Sequence, residues 1–199
     1  MRIDIDNWRP ITVSELNKIF SNLPIIWGIA GGWALDLHQG KQTRAHSDID
    51  VIITRADQLK VFTYLSPRWI LYRAESGRLT RWSGEYLNST DDIWVSRDEK
   101  SPWAFQIMII ETEEDRWFYK RKNIIHRPIN ELFLTTTDGI PYLKPEIQLL
   151  YKGGSSQIRE KDLIDLENTL PVLESQEKEW LKSALRLQFP QGHDWIEYI

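Results

Sequence analysis

An ordered quartet between residues 25 and 54 narrows the fold more than any other feature: an apolar run, two adjacent glycines, a short helix, and a β-branched strand opening on Asp-x-Asp. Ile25-Ile26-Trp27 stops at Gly28 and reads as a short buried strand. After Ala30-Gly31-Gly32, residues 33 to 38 read as a short helix launched from a glycine turn and closed by Gly40. Residues 48 to 54 then alternate Asp, Ile, Asp and continue as Val-Ile-Ile, a strand whose first residues are acidic on one face.

The flanking segments extend this order. Thr12 and Glu15 form a capping-box pattern ahead of Leu16, Ile19 and Phe20, which predicts an amphipathic helix over 12–22 ended by Pro24. Leu59, Phe62 and Leu65 predict a helix over 55–65, and residues 69 to 74 form the next strand. The β-α-β-α-β order favours an α/β or α+β sheet with helices packed on it. Residues 93–96, 103–110 and 117–121 read as extended, the last two joined through the acidic turn 111–115 as a hairpin. A further turn is expected at 135–139. Pro145 opens a helix carrying Ile147, Leu149, Leu150 and Tyr151, and two more helices are expected at about 160–170 and 176–189.

The chain therefore divides into a sheet-forming part, 1–140, and a helical part, 141–199, with Gly153-Gly154-Ser155-Ser156 as the most flexible spot. A cleft between the two is the natural place for a ligand. The 199 residues, 41% of them apolar, suffice for one ordinary domain with a helical appendage. No apolar run approaches the roughly 20 residues of a membrane helix, and residues 1–10 are polar, so a cytoplasmic protein without membrane partners is expected.

With no cysteine, any metal must be held by carboxylates, carbonyls or imidazoles, which favours hard cations. A net charge of -4 and the lack of a basic run disfavour a nucleic-acid partner. On a strand, positions i and i+2 share a side about 6.6 Å apart, so Asp48 and Asp50 present two carboxylates together. That spacing suits magnesium, which takes oxygen ligands at about 2.0–2.1 Å and completes its shell with water and phosphate. Gly31 and Gly32 lack a Cβ and let the backbone approach a phosphate, while the following helix aims its positive end at the same spot.

Gly31-Gly32-Trp33-Ala34-Leu35-Asp36, Gly40, Thr43-Arg44, His46 and Asp48-Ile49-Asp50 resemble the signature of the aminoglycoside 2''-nucleotidyltransferases and lincosamide nucleotidyltransferases of the polymerase-β-like superfamily. Residues 145–152 and 161–165 are similar to the helical segment of those relatives, whereas 66–135 match poorly. The resemblance implies an α+β fold: a mixed β-sheet with flanking helices and a C-terminal helical part. It implies transfer of a nucleoside monophosphate, AMP from ATP, to a hydroxyl of a small acceptor, with Mg2+ held by Asp48 and Asp50. Gly31 and Gly32 would lie near the triphosphate, Arg44 and His46 beside it, and Lys152 or Lys161 would neutralise phosphate.

One position departs from that pattern. Relatives carry a third carboxylate on a neighbouring strand, and the matching place here, within 103–110, holds Gln106, which can position a hydroxyl but cannot take a proton. Glu111 falls on the other face by alternation, and Asp91 or Asp92 could supply charge from another direction. Two alternatives follow: a nucleotide-binding or regulatory protein with weakened catalysis, and a toxin-like nucleotidyltransferase acting on protein or tRNA. Trp33 and Trp103 are expected in the core rather than on a base, and Glu160, Asp162, Asp165 and Glu167 are expected on a solvated helix face.

Overall fold

A computed structural model describes residues 1–75, 77–155 and 157–199. In chain order its elements begin with α1 (Val13–Phe20), β1 (Trp27–Ala30), α2 (Gly31–Gln39), β2 (Asp50–Thr54), α3 (Gln58–Leu65), β3 (Ile70–Glu75), β4 (Arg78–Arg81) and β5 (Asp92–Ser96). They continue with β6 (Trp103–Glu113), β7 (Arg116–Phe118), β8 (His126–Pro128), β9 (Phe133–Thr135), β10 (Pro141–Leu143), α4 (Pro145–Gly153), α5 (Glu160–Thr169), α6 (Ser175–Gln188) and α7 (Trp195–Tyr198). The chain groups into two compact units, Met1–Ile29 with His46–Thr112, and Ala30–Ala45 with Glu113–Ile199. No single cut along the sequence reproduces that grouping.

The first unit is built on strands ordered β4-β3-β5-β6-β2-β1. β3 pairs antiparallel with β4 and β5, β5 pairs antiparallel with β6, and β6 runs parallel to β2, so the sheet is mixed. β6 reads Trp-Ala-Phe-Gln-Ile-Met-Ile-Ile, nearly continuous in apolar residues, as a central strand covered on both faces should be. α1 begins as the sequence predicts: Glu15 N–H donates to Thr12 Oγ1 at 3.2 Å, and Thr12 N–H donates to Glu15 Oε2 at 2.8 Å. Its Leu16 and Phe20 are wholly buried, with the Phe20 ring 5.4 Å from Trp27 and 6.0 Å edge-on to Phe105. The helix expected at 55–65 opens with a tight 3-10 turn, Arg55–Asp57, before α3.

The second unit packs α2, α5 and α6 around α4, whose Ile147, Leu149 and Leu150 are fully buried. Two short hairpins accompany the helices: β7 with β8, and β9 with β10 across a turn at 136–139 that needs Gly139 at φ +80°. The extended segment expected at 117–121 is thus only Arg116–Phe118.

The glycines at 153 and 154 are not a flexible spot. Gly153 is the last residue of α4, both glycines are buried, and a Cβ on Gly153 would sit 2.6 Å from the Trp195 ring. Close packing is what demands glycine there. Ser156, the last residue of that expected link, lies outside the described residues. No helix among the described residues is long and apolar enough to cross a membrane.

Candidate active site

Asp48, Asp50 and Gln106 belong to the first unit. Asp50 is the first residue of β2 and Asp48 lies two residues earlier, on either side of Ile49, which is fully buried while both acids are partly exposed. With Ile49 buried between them, alternation along an extended chain would send the two carboxylates to the same side, away from the core. The ladder holds this stretch extended: Gln106 N–H donates to the Ile49 carbonyl at 2.9 Å, and Asp50 aligns with Gln106 on parallel β6.

Gln106 is not isolated. Its Nε2 donates to Asp92 Oδ1 at 2.7 Å from across β5. Asp91 and Glu111, two further acids considered from the sequence, are engaged by Arg55 instead, whose guanidinium reaches Asp91 Oδ1 at 2.7 Å and Glu111 Oε1 at 2.6 Å. Two more Arg55 bonds go to the carbonyls of Leu87 and Thr90. These two acids are structural partners of Arg55, which leaves Asp92 as the carboxylate bonded to Gln106. Trp103 is wholly buried in the core, its ring 3.7 Å beneath the Arg2 guanidinium, as expected. His46 is partly exposed on the loop before β2.

Gly31, Gly32, Arg44, Lys152 and Lys161 belong to the second unit. Gly31 adopts φ +67°, a left-handed conformation that glycine takes without strain, and its buried N–H donates to Gln148 Oε1 at 2.8 Å. Gln148 of α4 thus pins the start of α2, whose own first turn carries no acidic residue. Asp36 Oδ1 then accepts from both Thr43 N–H and Thr43 Oγ1, fixing the loop that follows the helix. Trp33, expected in the core, is partly exposed and lines a cavity of about 580 Å³ with Leu37, Gln42, Thr136 and Asp138.

Arg44 and Lys152 are joined through α5. Arg44 donates to both carboxylate oxygens of Asp165, and Lys152 Nζ stands 2.7 Å from Asp165 and 3.4 Å from Asp162. Arg159 closes the chain of charges with bonds of 2.8 and 2.9 Å to Asp162. Burial alone would push both carboxyls up, but the hydrogen bonds from Arg44 and Arg159 and the charge of Lys152 outweigh it, and both are held below the usual carboxylate range. Lys152 is almost fully buried and its charge is already matched. Lys161 is partly exposed on α5.

The solvated-face reading of α5 holds for Glu160 and Glu167 and fails for Asp162 and Asp165. A sequence signal for this exists: Asp162, Asp165, Leu166 and Thr169 recur at i, i+3, i+4, i+7, the spacing of a buried stripe, whereas Leu163 and Ile164 point outward. Among the described residues, no group of three or more His, Asp or Glu is gathered as a metal cage. Two carboxylates on one edge fit a hard cation that shares its shell with phosphate and water, and the amide at 106 adds no further charge.

Residues 12–83 match the model of the aminoglycoside-2''-adenylyltransferase family, a span that contains the glycine turn and both acids. Among solved structures, the lincomycin-bound lincosamide antibiotic adenylyltransferase LnuA is 22% identical, covers 83% of this chain and 100% of its own, and superposes with a TM-score of 0.57. ANT(2'')-Ia in complex with adenylyl-2''-tobramycin is 14% identical over 89% of this chain and 98% of that one, with a TM-score of 0.56. An antigenic nucleotidyltransferase-like protein from Paracoccidioides brasiliensis is 16% identical over 93% and 88%, with a TM-score of 0.51. None of the curated proteins matches. The mixed sheet with flanking helices is thus a fold shared with these nucleotidyltransferases, and the family match lies over the glycine turn and the Asp-x-Asp segment.

Proposed function

We propose that this protein transfers a nucleoside monophosphate, AMP from ATP, to a hydroxyl of a small antibiotic-like acceptor in a magnesium-dependent reaction. The observation that carries the reading is the pair Asp48 and Asp50 around buried Ile49 at the head of β2, inside the segment that matches the family. Similar proteins are an adenylyltransferase seen with lincomycin and one seen with adenylyl-2''-tobramycin, which supports a hydroxyl-bearing antibiotic as acceptor.

In this reading Asp48 and Asp50 hold the cation, which would withdraw charge from the phosphates. The backbone at Gly31 and Gly32, at the start of α2 whose first turn holds no acidic residue, receives phosphate oxygens. The acceptor hydroxyl gives up its proton to solvent and its oxygen bonds to the α-phosphorus as the bond from that phosphorus to the bridging oxygen of the β-phosphate breaks, and pyrophosphate leaves. His46 and Lys161 contribute positive charge or hydrogen bonds on the phosphate side, while Arg44 is held by Asp165 and fixes the loop that precedes His46. Lys152 acts through Asp165 and Asp162, whose charges it already matches.

Gln106 in place of a carboxylate favours a second reading, nucleotide binding with little turnover, because loss of one general base typically costs a factor of 10² to 10⁴. The same experiment separates the two. Calorimetry with magnesium-ATP should give heat with wild type and little with Asp50→Asn, and a pyrophosphate-release screen over aminoglycosides and lincosamides should find an acceptor. Binding without release for any acceptor selects the second reading; no heat from wild type removes both.

A further inference from the structure

We propose that Asp92 is a positioning residue: through the Gln106 amide it turns a neutral carbonyl oxygen toward Asp50, making that oxygen a donor to the cation. The inference rests on the magnesium-site reading above and concerns how this chain completes the site where a carboxylate would otherwise stand.

β6 lies between β5 and β2 in the sheet. Gln106 aligns with Asp50 on the β2 side and with Trp94 on the β5 side, so these three side chains leave the same face. Asp92 precedes Trp94 by two residues and shares that face as well. A carboxylate can only accept, so the 2.7 Å bond from Gln106 to Asp92 Oδ1 selects the NH2 end of the amide. The amide is planar, and its oxygen therefore leaves on the opposite flank, toward β2 and Asp50. Flipping the group would set a carbonyl against a carboxylate and lose the bond. The neighbouring acids do not compete for the amide, because Asp91 and Glu111 are engaged by Arg55.

The consequence is a site of two carboxylates and one carbonyl, whose charge is one unit less negative than three carboxylates would give. Carbonyl oxygens are ordinary donors for hard divalent cations. Asp92 then supports the cation without touching it, a role whose removal typically weakens metal binding 10- to 100-fold.

The test is Mn2+ alone, titrated into the full chain and followed by the electron paramagnetic resonance of the free ion, with circular dichroism as the control for folding. Wild type should bind and Asp50→Asn should not. Asp92→Leu and Gln106→Leu should each weaken binding by about tenfold. The double variant should be no weaker than the weaker single, because Asp92 acts only through the amide. Asp92→Asn, which keeps the volume but can bond the amide in either sense, should give a smaller loss and serves if the leucine variant does not fold. Unchanged affinity in both Asp92 variants overturns the inference alone, as does a loss that multiplies in the double variant, the mark of a direct ligand or of simple charge. A wild type that binds no Mn2+ overturns the magnesium-site reading and this inference with it.

Discussion

Arg44 and Asp165, 121 residues apart in sequence, meet in a two-pronged ion pair: Nε to Oδ1 at 2.8 Å and Nη2 to Oδ2 at 2.7 Å. Asp165 is only 1% exposed, so its charge has little water and depends on Arg44 and on Lys152 at 2.7 Å. The pair ties the loop after α2 to the face of α5.

Removing the carboxylate leaves two cations facing a buried amide. Breaking a buried pair in this way costs about 3–5 kcal/mol, so Asp165→Asn should lose on that order at pH 7 in a urea melt. The sign of the pH dependence follows from the lowered carboxyl. The unfolded chain binds more protons in the acid range, so the contribution is full above about pH 4 and fades as pH falls toward the folded value. The difference between wild type and Asp165→Asn should therefore shrink at pH 3; an unchanged difference would refute the assignment.

Gly153 offers a test of packing. Its close neighbour is the Trp195 ring, 2.6 Å from where a Cβ would be, and Trp195 is fully buried. Gly153→Ala should cost about 1–3 kcal/mol through overpacking, even though alanine is the better helix former. A melting temperature at or above wild type would show that α7 yields freely.

Legibility in the sequence divides along physical lines. Local signals were readable: Thr12 and Glu15 cap α1, Gly40 ends α2 in the left-handed region, and Pro145 opens α4. So was the order of strand, glycine turn, helix and strand, because each piece rests on a local pattern. Long-range bonds were hidden. Gln148 beneath Gly31, Arg55 between Asp91 and Glu111, and Asp92 on Gln106 each join residues far apart in the chain, and no local pattern announces them. The short strands β4, β8, β9 and β10, of three or four residues each, carry too little periodicity to stand out.

Arg55 should behave as a structural hub. Its guanidinium serves two acids and two carbonyls, so Arg55→Met strands several partly buried acceptors at once. A hydrogen bond to a charged group contributes about 1.5–3 kcal/mol, and a loss of at least that size is expected in denaturant melts. Mn2+ affinity, measured on the folded fraction, should stay close to wild type, since the amide at 106 is held by Asp92 and not by this cluster. A selective loss of metal binding with intact stability would move Arg55 from scaffold to site.

Gly31 combines a left-handed backbone position with the phosphate role proposed for it, and the two can be separated. At φ +67° a side chain costs about 1–2 kcal/mol, so Gly31→Ala should be less stable by that amount. Gln148→Leu should be less stable too, by about 1–3 kcal/mol, because a buried N–H loses its acceptor. Only the alanine puts a methyl group on the turn itself. If the backbone there receives a phosphate, Gly31→Ala should weaken ATP binding well beyond its effect on the folded fraction. Gln148→Leu, with the turn still bare, should weaken it less. Equal affinities for ATP in the two variants, measured by calorimetry at a temperature where both are folded, would detach the turn from the triphosphate and leave Gly31 as a plain turn residue between β1 and α2.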